Sequence, residues 1–384
     1  MAFSKGVFDQ LAVASNPNPV CPNLKYLTWR YSKGWSYACQ FFSHSLVSAS
    51  FPKWMEIGNR NRDQEFASMI DRLLTVQLER FFIGGMVSKP LDSIMCAALS
   101  KLVQSLKPCF VELIIGTTLT DPAWEHLASL PRLKTLLVSG APSANVRRQE
   151  PPKLAFPALE DLCLMMDSTY HQLSPLFHLL RSSPMEKVNV VARNRPGDDV
   201  PSHVISAMLE FELERSVKTL TFADFGPTSL ALMSNLLPFR SLKKLKWPTR
   251  CLEDAQCISP LEDSEIEKLA EALNNLEYLH LGHSCTHSPC LVTIKSMIAL
   301  SAHCPHLASL DISCRLTTIL DDIKMLSDES RQRLKTQGHC ALRFLGSTMM
   351  PPANGEASKV ASSALDNLFP HRQSEGALDV LGNI

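Results

Sequence analysis

The chain has 384 residues, 45% hydrophobic and 20% charged, long enough for one elongated domain or two to three compact ones. Lysine plus arginine equals aspartate plus glutamate at 38 each, so no global charge draws the chain to nucleic acid or an anionic membrane. No apolar run reaches the roughly 18–20 residues that span a bilayer, and the start lacks the apolar core and cleavage site of a signal peptide. Twelve cysteines lie scattered, some at apolar stretches such as Cys163 and Cys314. Free, buried thiols in a reducing compartment, cytoplasmic or nuclear, fit that usage better than a disulfide framework.

In chain order, one short pattern recurs: apolar, two variable, apolar, one variable, apolar. It reads LKYLTW from Leu24, LLTVQL from Leu73, FVELII from Phe110, LKTLLV from Leu133, LEDLCL from Leu159 and MEKVNV from Met185. It continues as VKTLTF from Val217, LKKLKW from Leu242, LEYLHL from Leu276 and LASLDI from Leu307, with weaker copies at LVSASF and LRFLGS. The copies start about 22 to 37 residues apart, centred near the period of leucine-rich repeats. Parallel strands are predicted near 26–30, 112–116, 135–139, 161–165, 187–191, 219–223, 244–248, 278–282 and 309–313.

The spacers carry helical signals. DPAWEHLASLP from Asp121 has proline at a first helical position, and DSEIEKLAEALNN from Asp263 sets Ile266, Leu269 and Leu273 on one face. SHVISAMLEFELER and LVTIKSMIALSAHCP read the same way. A short strand and a helix per unit make an α/β leucine-rich-repeat solenoid, with parallel strands on the concave face and helices on the convex one. The expected organisation is a lead-in over 1–20, one elongated solenoid over 21–346, and a linker, capping helix and frayed tail over 347–384.

Strand alternation assigns the side chains. Leu279 and Leu281 point inward, as does Trp247, while Tyr278 and His280 point to the concave face. The same register puts Tyr26, Thr28, Arg30, Lys187, Thr219, Lys244, Lys246 and Asp311 on that face as candidate partner contacts. Lys187, Lys244 and Lys246 would form a basic strip suited to an acidic protein segment, against the plainer reading of solubility on an exposed sheet. Lys218 and Lys243 lie beside it in sequence.

No nucleophile elbow, phosphate-binding glycine loop or zinc-protease helix occurs, so we expect no catalytic residues, no cofactor and no enzymatic activity. HSCTHSPC, with His283, Cys285, His287 and Cys290, has the ligand types of zinc. Its spacing is tight and it falls in a strand-to-helix loop, so a structural loop is the preferred reading and no metal site is assigned.

At CPNLKYLTW and AHCPHLASLDIS a helix ending in Cys-Pro leads into a leucine-rich strand, which resembles the cysteine-containing repeats of F-box proteins. LRSSPMEKVNV, RLKTLLVSG and FPALEDLCL resemble the repeat domains of fungal F-box-like proteins, the resemblance covering roughly Cys21 to Leu345. It implies repeats that hold a protein substrate for a cullin ubiquitin ligase, docked through a Skp-type adaptor. About twenty residues precede the first repeat and none match the Leu-Pro opening of an F-box. The expectation is therefore an adaptor contact only if an F-box lies outside this chain. The alternative is a stand-alone interaction scaffold without a ligase link. Either way the partner is a protein, on the concave face or loops, with neither nucleic acid nor membrane involved.

Overall fold

The computed structural model describes residues 10, 19–30, 34–52, 60–84, 93–143, 155–166, 173–192, 200–223, 231–247, 249–250, 262–281, 283–284, 292–312, 327–328 and 343–344. The chain divides into two compact units, Met1–Met185 and Glu186–Ile384. Both are built on the leucine-rich-repeat plan, short parallel strands joined by helices, and the fold is an α/β leucine-rich-repeat solenoid.

In the first unit the strands are β1 (Tyr26–Thr28), β2 (Ser48–Phe51), β3 (Arg80–Ile83), β4 (Glu112–Ile115), β5 (Thr135–Ser139) and β6 (Asp161–Met166). Each pairs in parallel with the next in sequence order. The helices between them are α1 (Trp35–Ala38), α2 (Arg60–Leu73), α3 (Ser93–Ser105), α4 (Asp121–Ser129) and α5 (Ser174–Leu180). Inward strand positions are sealed: Ala49, Leu113, Leu136 and Leu162 are fully buried and Phe81 is nearly so. Burying each large apolar side chain is worth about 1.5–3 kcal/mol, and each is buried only because the neighbouring repeat supplies the other wall.

The second repeat boundary differs from the expected one. Leu73 closes helix α2 rather than opening a strand, and the repeat begins at Leu78, as LERFFI. Leu78, Phe81 and Ile83 fill the three apolar slots. Phenylalanine takes the middle slot that leucine holds in most of the other repeats, while LLTVQL offers the correct spacing on a helix end.

The second unit contains β7 (Lys187–Ala192), β8 (Thr219–Ala223), β9 (Lys244–Lys246), β10 (Thr249–Arg250), β11 (Tyr278–Leu281), β12 (His283–Ser284), β13 (Ser309–Ile312) and β14 (Arg343–Phe344). The order β7-β8-β9-β11-β13-β14 is parallel throughout, and β10 pairs separately with β12. Its helices are α6 (Val200–Glu210), α7 (Ala231–Ser234), α8 (Asp263–Ala272) and α9 (Ile294–His303). Leu220, Leu245 and Leu279 are fully buried, and the Trp247 ring packs on Phe222 with centroids 4.5 Å apart.

Side-chain oxygens brace successive helices. The Asp263 carboxylate, on the first residue of α8, accepts from Thr293 N (2.8 Å), Thr293 Oγ1 (2.6 Å) and Ser296 Oγ (2.5 Å) at the start of α9. Asp121, first in α4, ties that helix instead to the loop after β5, accepting from Ser143 N (3.0 Å) and Ser143 Oγ (2.5 Å). The helix of DPAWEHLASLP starts at that aspartate, with Thr120 as its flanking residue, so Pro122 sits one position later than expected.

HSCTHSPC lies outside the described residues apart from His283 and Ser284 of β12, and the tail over 347–384, Trp54 and Cys314 lie outside them entirely. Among the described residues the cysteines are free thiols, but only Cys39 and Cys304 are buried: Cys163, expected inside, sits on an outward strand position and is half-buried, and Cys21 is exposed. No group of three or more His, Cys, Asp or Glu among them is placed to hold a metal ion. No helix among them is long and apolar enough to cross a membrane.

Candidate protein-binding face

Alternate residues of each short strand must point away from the core, and the parallel register stacks them into rows across the sheet. In the second unit one row runs Lys187, Thr219, Lys244, Tyr278, Ser309 and the next Asn189, Thr221, Lys246, His280, Asp311. Lys187, Thr219, Lys244, Lys246, Tyr278, His280 and Asp311 are thus on one outward face, as the alternation predicts. Tyr26 and Thr28 occupy the corresponding positions of β1 in the first unit, Tyr26 with 67% of its surface exposed. Arg30 is exposed but lies two residues beyond the end of β1, which is shorter than expected.

Burial grades this face. Lys187, Lys244 and Lys246 are exposed, Thr219 and Tyr278 are partly covered, and the His280 and Asp311 side chains are only 18% and 16% exposed. His280 Nε2 lies 3.2 Å from Asp311 Oδ2. Burial, with the Lys246 charge adding to it, lowers the His280 pKa to about 4, so the imidazole is neutral at pH 7. Burial raises the Asp311 carboxyl to about 6 against the opposing pull of Lys246, leaving it mostly ionised at that pH. An Asp–His pair is also the beginning of a nucleophile-activating relay. The Ser309 hydroxyl, in the adjacent row, is buried without a hydrogen-bond partner, so His280 does not engage it.

The neighbouring lysines are committed elsewhere. Lys218 pairs with Glu186, and Lys243 Nζ lies 2.7 Å from Glu277 Oε1; in the first unit Lys134 Nζ lies 2.8 Å from Glu160 Oε1. These pairs join the residues just ahead of successive strands and hold both glutamates of the second unit below the usual carboxylate range. Among the described residues neither Lys244 nor Lys246 is in an ion pair at contact distance. The basic strip therefore narrows to β9, with Lys187 two strands away.

A second feature of the outward face escaped sequence reading. In the first unit the row Phe82, Ile114, Leu137, Cys163 is apolar across four strands, each side chain partly exposed. The beside-lying row Arg80, Glu112, Thr135, Asp161 is polar, with Arg80 Nε 3.8 Å from Glu112 Oε2. The strands of this unit alternate only weakly in hydrophobicity, as in FFI and LII, so their outward apolar residues read as core.

No family model matches the sequence, and no curated protein matches it. Among solved structures the chain is similar to a Bacteroides fragilis protein at 14% identity, with 65% of this chain and 69% of that one covered and a TM-score of 0.39. It is also similar to TLR13 in a complex with the single-stranded RNA ssRNA13, at 14% identity over 77% of this chain and 40% of that one, TM-score 0.38. A third is the yeast Rad7–Elc1 complex, at 17% identity over 90% of this chain and 83% of that one, TM-score 0.42. At these scores the likenesses add nothing to what the repeats of the chain itself display.

Proposed function

We propose that this leucine-rich-repeat chain is a protein-binding module without catalysis of its own, and that the outward strand face of its second unit contacts an acidic segment of the partner. One observation carries the reading: Lys244 and Lys246 project from β9 on the outward face and make no ion pair among the described residues, while the adjacent Lys218 and Lys243 are each matched by a glutamate. Unmatched cations on a fixed sheet cost nothing in solution and steer an anionic partner. Threonines, a tyrosine and a neutral histidine around them add hydrogen-bonding and contact area without opposing charge.

The resemblance of the repeats to F-box-like proteins extends this to substrate recognition in a cullin ubiquitin ligase, acting in the cytoplasm or nucleus. A stand-alone scaffold is the alternative. Affinity capture from cells with the wild-type chain and with the double charge reversal Lys244→Glu/Lys246→Glu tests both. A protein retained by the wild type and lost by the double variant supports the face. A captured protein whose cellular level rises when the gene for this chain is disrupted supports the ligase link, and an unchanged level favours the scaffold.

A further inference from the structure

The spacing of the two unmatched lysines specifies more than charge. Lys244 and Lys246 are alternate residues of one strand, so their side chains leave the same face about 6.6 Å apart along the strand axis. Like charges this close splay rather than converge, since each gains nothing by approaching the other. On one side, at strand spacing, are the Thr219 and Thr221 hydroxyls, in register with Lys244 and Lys246 and in no hydrogen bond among the described residues. On the other side are Tyr278 and His280, in the same register. The result is a three-strand block, two residues deep, with cations in the middle and polar walls.

We propose that this block takes an extended acidic segment of a partner protein that lies along β9 and carries carboxylates at alternate residues, one facing Lys244 and the other Lys246. An extended chain repeats its side chains on one face every two residues, the same period as the lysines, so a Glu-x-Glu or Asp-x-Asp segment matches both ammonium groups at once. A helical segment presents its charges at three- and four-residue intervals, about 5–6 Å apart on a curved surface, and matches the flat pair less well. The threonine hydroxyls are placed to serve as side donors to the same carboxylates. A continuous phosphodiester track is disfavoured by the surroundings: the Glu277 carboxylate stands one residue before β11 and the Asp311 carboxylate one strand beyond His280. Two cations bounded by acids fit a short acidic stretch, not a long polyanion.

The inference rests on the outward face being the contact surface, and its test separates the two. The full-length protein is titrated at low salt with Ser/Gly peptides bearing two glutamates at adjacent, alternate, or three-residue spacing, followed through the His280 imidazole signals and the Thr221 amide by NMR. The alternate peptide is expected to bind about fivefold tighter than the other two, a preference erased by Lys244→Gln or Lys246→Gln. Equal binding of the three peptides, or no binding of the alternate one, overturns the inference. Tighter binding of a single-phosphoserine peptide or of a short single-stranded RNA also overturns it, since either would identify the block as a phosphate site. If the cellular partner is lost by the double charge reversal while the peptides bind alike, the contact face stands and the spacing rule falls.

Discussion

The Nε2 of His280 and the Oδ2 of Asp311, on adjacent parallel strands, lie 3.2 Å apart, and the Lys246 charge acts on both. Both side chains are largely buried, so their charge states follow from burial and from that lysine.

That arrangement sets a titration. His280 should protonate near pH 4 instead of near 6.5, and Asp311 near 6. The signs oppose each other. The lowered His280 contributes stability present above 6.5 and lost as pH falls through 4, whereas the raised Asp311 contributes stability present below its unfolded value and lost as pH rises through 6. Lys246→Met removes a cation that lowers both, so both values should rise, as read by NMR titration of the imidazole. An unchanged His280 value would mean that burial alone sets it.

The buried strand positions predict the mutational core. Leu279 is fully buried, so Leu279→Asp should cost at least several kcal/mol in a denaturation curve of the chain, where a surface leucine would cost almost nothing. Phe81→Ala should cost about 3–5 kcal/mol. Phe82→Ala, one residue on and facing out, should cost much less.

Phe81 also shows where sequence legibility ends. Nine strands and, Arg30 apart, their outward residues follow from the leucine pattern because a strand of period two leaves one choice of face once the inner leucines are known. The repeat at Leu78 is hidden because Phe81 and Ile83 replace leucine and Phe82 breaks the alternation, while Leu73 and Leu74 at the end of α2 mimic a repeat start. Ion pairing is not legible in this way. LKKL, VKTL and MEKV look alike, and only the register shows that Lys218 and Lys243 face glutamates while Lys244 and Lys246 do not.

The helix-bracing aspartates make a separate prediction. Burial pushes the Asp263 carboxyl up, but the hydrogen bonds from Ser296 and Thr293 together outweigh it and hold it below the usual range. Asp263→Ala leaves Thr293 N and Ser296 Oγ without their acceptor and should destabilise the chain by about 1–3 kcal/mol. The wild-type contribution is present at neutral pH and lost as pH falls through the folded-state value, so the gap between wild type and variant should narrow in acid. A gap that does not change with pH would show that the carboxylate charge is not what braces α9.

Cys163 reports directly on the apolar outward row of the first unit. Burial, reinforced by the Asp161 carboxylate, raises its thiol to about 11, so about one part in a thousand is thiolate at pH 8. Iodoacetamide should therefore modify Cys163 far more slowly than the exposed Cys21 in the native protein, with the two converging in denaturant. Asp161→Asn removes the lesser cause and should quicken Cys163 labelling, while Ile114→Ala, one strand beyond Leu137, thins the apolar cover along the row and should quicken it through access instead. The two routes differ in their dependence on pH: a charge effect shifts the midpoint of the rate profile, and an access effect scales the whole profile. Rapid wild-type labelling of Cys163 at pH 8 would mean that the row is open to solvent, contrary to the half-buried packing of Phe82, Ile114, Leu137 and Cys163.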